Sequence, residues 1–139
     1  MRILIAEDDL VSRKFLFKFL SKFGDCDITV DGMEAVEAFL LAGDEGRPYE
    51  LICLDVMMPK LDGLKVLKAI RDIEAEHGVP ENKVAKIIMT TVMNDTERVM
   101  DAFQSGCQAY AAKPIDIKKL QDVLGKLGLT NQIQQESLQ

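Results

Sequence analysis

The amino-acid sequence predicts an α/β fold, a doubly wound parallel sheet of five strands with helices on both faces. Five short apolar runs alternate with five longer segments of helical period, which is the pattern of repeated strand and helix units. The runs are almost continuously apolar, as in strands that are buried on both faces. The chain of 139 residues can form one core, and we expect one domain over residues 1–127 and a flexible polar tail at 128–139.

The apolar runs define five predicted strands, each bounded by polar or turn residues. They cover residues 2–6, 27–30, 51–54, 84–90 and 107–111. The segments of helical period define five predicted helices, at residues 10–23, 32–42, 63–77, 95–105 and 116–127.

The first predicted helix shows the helical pattern most clearly. Its apolar stripe consists of Phe15, Leu16, Phe19, Leu20 and Phe23. Gly24 follows, and we expect it to end the helix in the left-handed conformation that glycine adopts without strain. Asp31 and Asp62, each followed by a glycine, are the expected N-caps of the second and third helices.

Composition and charge restrict the classes of function. The formal net charge of -6 repels a phosphate backbone, so we expect no direct nucleic-acid partner. Cys26, Cys53 and Cys107 are too irregularly spaced for a disulfide framework or a zinc cluster, and we expect them to be small buried residues. Without a signal-peptide pattern or a long apolar run, the sequence predicts a cytoplasmic protein that does not contact a membrane.

Polar side chains follow four of the predicted strands. Glu7 and Asp8 come after the first strand, Asp55 after the third, Thr91 after the fourth and Lys113 after the fifth. In open parallel sheets, ligands bind beyond the carboxyl ends of the strands. We therefore expect these side chains to form one site.

The residue types at these strand ends indicate phosphoryl transfer. Three converging carboxylates repel one another unless a cation intervenes, and Mg²⁺ prefers one or two carboxylates together with waters and phosphate oxygens. Lys113 offers a positive charge to a phosphoryl group, and Thr91 offers a hydroxyl. Asp55 is the expected nucleophile, since carboxylates form aspartyl-phosphate intermediates.

Four segments of the chain, in order, resemble the receiver domain of two-component response regulators, of the single-domain chemotaxis type. They are ILIAEDD, LDVMMPKLDG, IIMTT and AYAAKP. The resemblance covers residues 1–127 and implies a flavodoxin-like (βα)5 fold with strand order 2-1-3-4-5. It also implies that Mg²⁺, or Mn²⁺ in its place, supports phosphorylation of Asp55. The resemblance implies that the domain is not an enzyme and that it catalyses only its own phosphorylation and its own slow dephosphorylation.

The resemblance assigns the metal ligands residue by residue. Asp8 and Asp55 resemble the metal-binding carboxylates, while Glu7 acts mainly through water and Met57 offers its backbone carbonyl. The alternative acidic pair is Asp8 and Asp9.

The resemblance also assigns the phosphoryl contact and the switch. Lys113 resembles the phosphoryl-binding lysine, and its peptide bond to Pro114 is expected to be cis. Thr91 and Tyr110 resemble the pair that switches on phosphorylation, with Thr90 as the alternative hydroxyl.

The implied partners are a phosphoryl donor and a downstream protein. The donor is a sensor histidine kinase or a histidine phosphotransfer protein, and Phe17, off the stripe of the first helix, is a candidate docking residue. A stand-alone receiver then signals through the fourth helix, fifth strand and fifth helix, as a monomer or a phosphorylation-dependent dimer. There, Val99, Phe103 and Tyr110 form an apolar patch, unless Val99 and Phe103 face the core.

Some residues depart from the receiver pattern. Val92 is branched where a small residue is usual, and Met57 and Met93 are apolar at positions that flank the incoming hydrolytic water. We therefore expect slow self-dephosphorylation. Residues 43–48 lengthen the loop before the third strand, and the sequence gives no function for them.

A magnesium-dependent hydrolase with an aspartate nucleophile is the alternative function. Its nucleophile segment reads D-x-D-x-T, whereas Asp55 is followed by Val56, Met57, Met58 and Pro59. A flavin or dinucleotide-binding protein is a further alternative, but no glycine-rich turn follows the first strand.

Overall fold

A parallel sheet of five strands forms the centre of the structure, which is a computed structural model that describes residues 1–92 and 96–129. The strands are β1 (Arg2–Ala6), β2 (Asp25–Thr29), β3 (Leu51–Asp55), β4 (Lys86–Val92) and β5 (Ala109–Lys113). The helices are α1 (Leu10–Leu20), α2 (Gly32–Asp44), α3 (Gly63–Glu76), α4 (Thr96–Gln104) and α5 (Ile117–Lys126), and a 3-10 turn covers Glu81–Lys83. Neighbouring strands are parallel in the order β2-β1-β3-β4-β5, which confirms the predicted fold class.

Side chains of the sheet alternate between two faces, and each face forms its own core. On the α1/α5 face, Ile3, Ile5 and Ile88 pack with Leu16 of α1 and Leu120 of α5. The opposite face, which we call the α2/α3/α4 face, buries Leu4, Ile52, Leu54, Ile87 and Met89 against α2, α3 and α4. Among the described residues, no helix has the length and apolar character required to cross a membrane.

Three strands are displaced along the chain from their predicted positions. β2 covers Asp25–Thr29 rather than 27–30, β4 covers Lys86–Val92 rather than 84–90, and β5 covers Ala109–Lys113 rather than 107–111. Ala85 and Cys107 are apolar and were therefore included in the predicted strands. In the structure their N–H groups do not pair with a neighbouring strand, because they bond to the Glu74 side chain and to the Ala102 carbonyl oxygen. Backbone pairing, which sets the strand ends, starts after them.

Burial on both faces, predicted for every strand, holds for the central strands but not for the edges of the sheet. Ile28 in β2 is 41% exposed and Tyr110 in β5 is 46% exposed. The three cysteines are free thiols; Cys53 and Cys107 are buried as predicted, while Cys26 in β2 is only partly buried.

Gly24 has a different role from the one predicted. α1 already ends at Leu20, and Gly24 is not among the residues with positive φ. A Cβ at this position would collide with the carbonyl oxygen of Met1, which accepts a hydrogen bond from the Asp25 N–H at 2.9 Å. Glycine is needed because the two backbones approach closely where β2 begins.

The two predicted N-caps are confirmed. Asp31 accepts a hydrogen bond from the Glu34 N–H at 2.9 Å, and Asp62 accepts one from the Lys65 N–H at 3.1 Å. Each cap satisfies an N–H group that has no partner within its helix.

Residues 43–48 have a structural role. Arg2 Nη1 donates to the Arg47 carbonyl oxygen at 2.9 Å, and Arg2 Nη2 lies 3.3 Å from Glu45 Oε1 and 3.2 Å from Asp27 Oδ2. The Tyr49 hydroxyl donates to Asp27 Oδ2 at 2.7 Å. The loop thus ties the chain before β3 to β1 and β2.

A second polar network fixes the amino ends of β4 and β5. Arg71 Nη1 pairs with Glu74 Oε1 at 2.6 Å, and Nη2 donates to the Ala85 carbonyl oxygen and to Gln108 Oε1, both at 2.9 Å. Glu74 is 4% exposed, and its other oxygen accepts from the Ala85 N–H at 2.8 Å. Arg71 therefore neutralises a buried carboxylate.

Replacing Arg71 with Met should lower the free energy of unfolding by about 3 kcal/mol, because it leaves a buried carboxylate without its cation. Urea denaturation measures the change, and Lys68→Met, an exposed position on the same helix, is the matched control. A loss below ~1 kcal/mol in Arg71→Met would show that the network contributes little.

Candidate functional site

Several strand ends meet at one edge of the sheet, which we call the carboxyl edge. Glu7 and Asp8 directly follow β1, Asp55 is the last residue of β3, and Lys113 is the last residue of β5. Glu7, Asp55 and Lys113 each lie two residues beyond a strand residue of the α1/α5 face, so alternation brings their side chains to that face. The structure therefore gathers the predicted acidic residues and the predicted lysine.

Lys113 connects two buried carboxylates. Its Nζ lies 2.7 Å from Glu7 Oε1 and donates a hydrogen bond to Asp55 Oδ2 at 3.1 Å. Glu7 is 0% exposed and Asp55 is 3% exposed, so both carboxylates depend on protein groups to compensate for lost solvation. The Lys113–Pro114 peptide bond is cis, as predicted.

Asp9 is directed away from this cluster. Its carboxylate caps α1 by accepting a hydrogen bond from the Ser12 N–H at 2.9 Å. Its N–H donates to Glu7 Oε2 at 3.1 Å, and Arg13 Nη1 donates to the carbonyl oxygens of Glu7 and Asp8 at 3.2 Å. This geometry favours Glu7 and Asp8 over the alternative pair of Asp8 and Asp9.

The segment after β3 is folded tightly against Asp55. The Met57 N–H donates to Asp55 Oδ1 at 3.1 Å, and the Gly63 N–H donates to the Val56 carbonyl oxygen at 2.8 Å. A Cβ at Gly63 would collide with the Asp55 carbonyl oxygen. In the sequence, Gly63 marks only the predicted start of a helix. The Asp-Gly pair that follows the Asp55 segment is the signal for this close approach.

The concentration of charge shifts the pKa values of the site. Burial, together with the Glu7 carboxylate, raises the pKa of Asp55 to about 6 against the opposing effect of Lys113. Burial and the neighbouring Asp55 raise the pKa of Asp8. Burial alone would lower the pKa of Lys113, but its contacts with Glu7 and Asp55 raise it overall. Added positive charge would therefore stabilise the ionised carboxylates.

The residues present fit a divalent metal ion. Glu7, Asp8 and Asp55 each offer a carboxylate oxygen, and these atoms lie within 4.8 Å of one another. Oxygen donors and the exposed position of Asp8 suit Mg²⁺, which keeps several of its waters.

Thr91 and Tyr110 lie on the α2/α3/α4 face rather than beside the carboxylates. Thr91 follows Met89 at a spacing of two residues, and Met89 pairs with Tyr110. Thr91 is 4% exposed, and its hydroxyl donates to the Val92 carbonyl oxygen at 3.4 Å. The Tyr110 ring packs edge-on against Phe103 with a centroid distance of 6.0 Å.

Most of the other residues noted in the sequence have exposed or half-buried side chains. Phe103 is 44% exposed, so it does not face the core, while Val99 is half-buried. Phe17 is 41% exposed on α1, as expected of a residue off the stripe. Met57 is 56% exposed and its sulfur lies 2.9 Å from Arg98 Nη1. Met93 lies outside the described residues.

Comparison with known proteins finds one family. The model of the response regulator receiver domain matches residues 3–125. Chemotaxis protein CheY of Bacillus subtilis is 30% identical over 128 residues, which cover 90% of this chain and 95% of that protein. Hybrid signal transduction histidine kinase I of Dictyostelium discoideum is 32% identical over 126 residues, 88% of this chain but 7% of the kinase. The chain spans only a small part of the histidine kinases that it matches.

Solved structures of receiver domains are also similar. One is in the complex of the Saccharomyces cerevisiae histidine phosphotransfer protein Ypd1 with the receiver domain of Ssk1. The matching chain of that complex is 27% identical to this chain, with a TM-score of 0.76. The match covers 95% of this chain and 93% of the other. The receiver domain of the Pseudomonas aeruginosa histidine kinase PA1611, with magnesium coordinated in its active-site cleft, is 27% identical with a TM-score of 0.70; that match covers 90% of this chain and 94% of that one.

Asp55→Asn should stabilise the metal-free protein at pH 7 by ~2 kcal/mol, because it removes charge from a buried acidic cluster. The folded protein holds the Asp55 proton more tightly than the unfolded chain, since the pKa is raised to about 6. This tighter binding of the Asp55 proton stabilises the folded state below about pH 4, and the stabilisation is lost as the pH rises through 6.

Urea unfolding at pH 4.5 and pH 7 in a chelating buffer measures this effect. The difference between Asp55→Asn and wild type should grow toward pH 7, whereas Asp44→Asn at an exposed position should show no such change. A difference that is the same at both pH values would contradict the raised pKa of Asp55.

Proposed function

Because this chain belongs to the family of response regulator receiver domains, we propose that it accepts a phosphoryl group on Asp55 and signals to another protein. One observation supports this more than any other. A single lysine ammonium lies within 3.1 Å of the Asp55 carboxylate, inside a cluster of three carboxylates that fits Mg²⁺. The metal-bound receiver domain of PA1611 is a similar structure.

Phosphoryl transfer requires ionised Asp55. A carboxylate oxygen of Asp55 attacks the phosphorus of a phosphohistidine, a new P–O bond forms, and the P–N bond breaks with its electron pair returning to the imidazole nitrogen. Lys113 offers its N–H groups to the oxygens of the transferred group. Glu7, Asp8, Asp55 and the Met57 carbonyl would hold Mg²⁺, which neutralises negative charge on phosphoryl oxygens.

The proposed donor is a sensor histidine kinase or a histidine phosphotransfer protein. The similarity to the receiver domain solved with Ypd1 supports a phosphotransfer protein. α1 also exposes apolar side chains beside the site: Leu10 is 52%, Val11 is 76% and Phe17 is 41% exposed. These residues offer a surface on which a donor helix could pack.

The proposed output surface is formed by α4, β5 and α5. A phosphoryl group on Asp55 adds acceptor oxygens that draw the Thr91 hydroxyl toward them, which makes room for Tyr110 to turn inward. The edge-on pair of Tyr110 and Phe103 rings would then rearrange on the surface. We propose that a stand-alone receiver presents this change to a downstream protein.

Met57 bears on the lifetime of the phosphorylated state. Its exposed, apolar side chain follows Asp55 by two residues, where it would obstruct an attacking water without activating it. We therefore propose slow self-dephosphorylation, to which Met93 would contribute as an apolar residue two positions beyond Thr91.

Incubation with acetyl phosphate and Mg²⁺ should add one phosphoryl group to the wild-type protein and none to Asp55→Asn, as measured by intact mass. The adduct should be sensitive to hydroxylamine, and after removal of the donor its decay gives the rate of self-dephosphorylation. Release of inorganic phosphate without an adduct would instead favour the hydrolase.

Asp8→Asn should weaken Mg²⁺ binding by about tenfold or more, because it removes one charged ligand. Asp9→Asn is the matched control, since asparagine also caps α1 and should leave the affinity unchanged. Titration calorimetry measures both variants, because the chain has no tryptophan to report binding. A larger loss of affinity in Asp9→Asn would restore the alternative acidic pair.

A further inference from the structure

Thr90 has a buried hydroxyl that the function proposed above does not use. The residue is 1% exposed, and its Oγ1 has no hydrogen-bond partner within the part of the chain that the structure describes. An unpaired hydroxyl in such surroundings costs free energy that a valine of the same shape would not. The proposed switch uses Thr91, so the hydroxyl of Thr90 needs a separate explanation.

The strand order places Thr90 beneath the side chain of Lys113. Thr90 pairs with Asp55 in β3 and with Ala111 in β5. Ile88, two residues earlier, belongs to the α1/α5 face, so the Thr90 side chain lies on the same face as Asp55 and Lys113. Because β4 lies between β5 and β3, Lys113 must pass over β4 to reach Asp55.

Phosphorylation changes what the ammonium of Lys113 can bind. The ammonium has three N–H donors; at present it lies 2.7 Å from Glu7 Oε1 and donates to Asp55 Oδ2 at 3.1 Å. Once Asp55 is esterified, its own charge is lost and the negative charge resides on the phosphoryl oxygens. The N–H that Asp55 held turns to these oxygens as the group is transferred, and the third N–H of the ammonium is left for a group on β4.

We propose that Thr90 is a positioning residue for Lys113, and that its hydroxyl accepts the third ammonium N–H, which neither Glu7 nor the transferred group takes. This hydrogen bond holds the ammonium beside the phosphoryl group during transfer. It also gives the buried Thr90 hydroxyl a hydrogen-bond partner. The role in transfer rests on the proposed function of Asp55 as the phosphoryl acceptor. Thr91, whose side chain lies on the opposite face, does not share it.

The rate of phosphorylation by acetyl phosphate tests the role in transfer. Thr90→Val should react about tenfold more slowly, the effect of losing one hydrogen bond to a charged group, while thermal unfolding shows no loss of stability. Thr90→Ser should restore the rate. Thr29→Val removes the other unpaired threonine hydroxyl at the carboxyl edge, on the opposite face, and should react like wild type.

An NMR measurement tests the positioning without phosphorylation. In Asp55→Asn one of the two charges that hold Lys113 is absent, so an N–H of its ammonium should bond to Thr90 and exchange slowly with water. Adding Thr90→Val should accelerate this exchange about tenfold, whereas adding Thr90→Ser or Thr29→Val should not. The ¹⁵N signal of Lys113 is identified by its loss in Lys113→Arg.

The outcomes separate the two proposals. If the wild type gains no phosphoryl group but the ammonium exchange depends on the hydroxyl at position 90, the proposed function fails and the positioning stands. Equal exchange in all variants overturns the positioning. A Thr90→Ser protein as slow as Thr90→Val, or an equal loss in Thr29→Val, overturns it as well.

Discussion

Lys113 reaches across two strands to contact two buried carboxylates, and the surrounding structure is arranged around this ionic contact. Glu7 and Asp55 are buried at the end of the sheet, where an unpaired ion costs several kcal/mol. Lys113 stands on β5, while Asp55 ends β3 and Glu7 follows β1. The order β1-β3-β4-β5 brings one ammonium within reach of both. The remaining negative charge suits Mg²⁺, which in the proposed function would offset the charge of a phosphoryl group.

The two ends of the sheet differ in how completely their polar groups are paired. At the amino ends of the strands, Arg71 and Arg2 each satisfy several carbonyl and carboxylate oxygens. At the carboxyl edge, two buried hydroxyl oxygens of the described residues, Thr29 Oγ1 and Thr90 Oγ1, lack hydrogen-bond partners, and the Glu7 carboxylate is paired with a lysine that it shares with Asp55. A saturated network keeps one end rigid, and unsatisfied groups at the other end remain available for a ligand.

β4 links the site to the surface through two adjacent residues. Alternation directs Thr90 to the α1/α5 face with Lys113 and Asp55, and directs Thr91 to the α2/α3/α4 face with Tyr110. One strand therefore contacts both the charged cluster and the aromatic pair of Phe103 and Tyr110. In the proposed switch, a small shift at the end of β4 would carry a change of charge at the site to the α4 surface.

The sequence by itself determined the fold class, the number of strands and the identity of the acidic residues, the lysine and the two caps. These features depend on local periodicity and on residues next to strand ends, and local pattern is what a sequence displays. Tertiary structure alone decided four other features. They are the ends of β4 and β5, the close contact of Gly24 with Met1, the network of Arg71 and the unpaired hydroxyl of Thr90. Each depends on which backbone groups distant segments bring together, and that pairing is absent from any single stretch of chain.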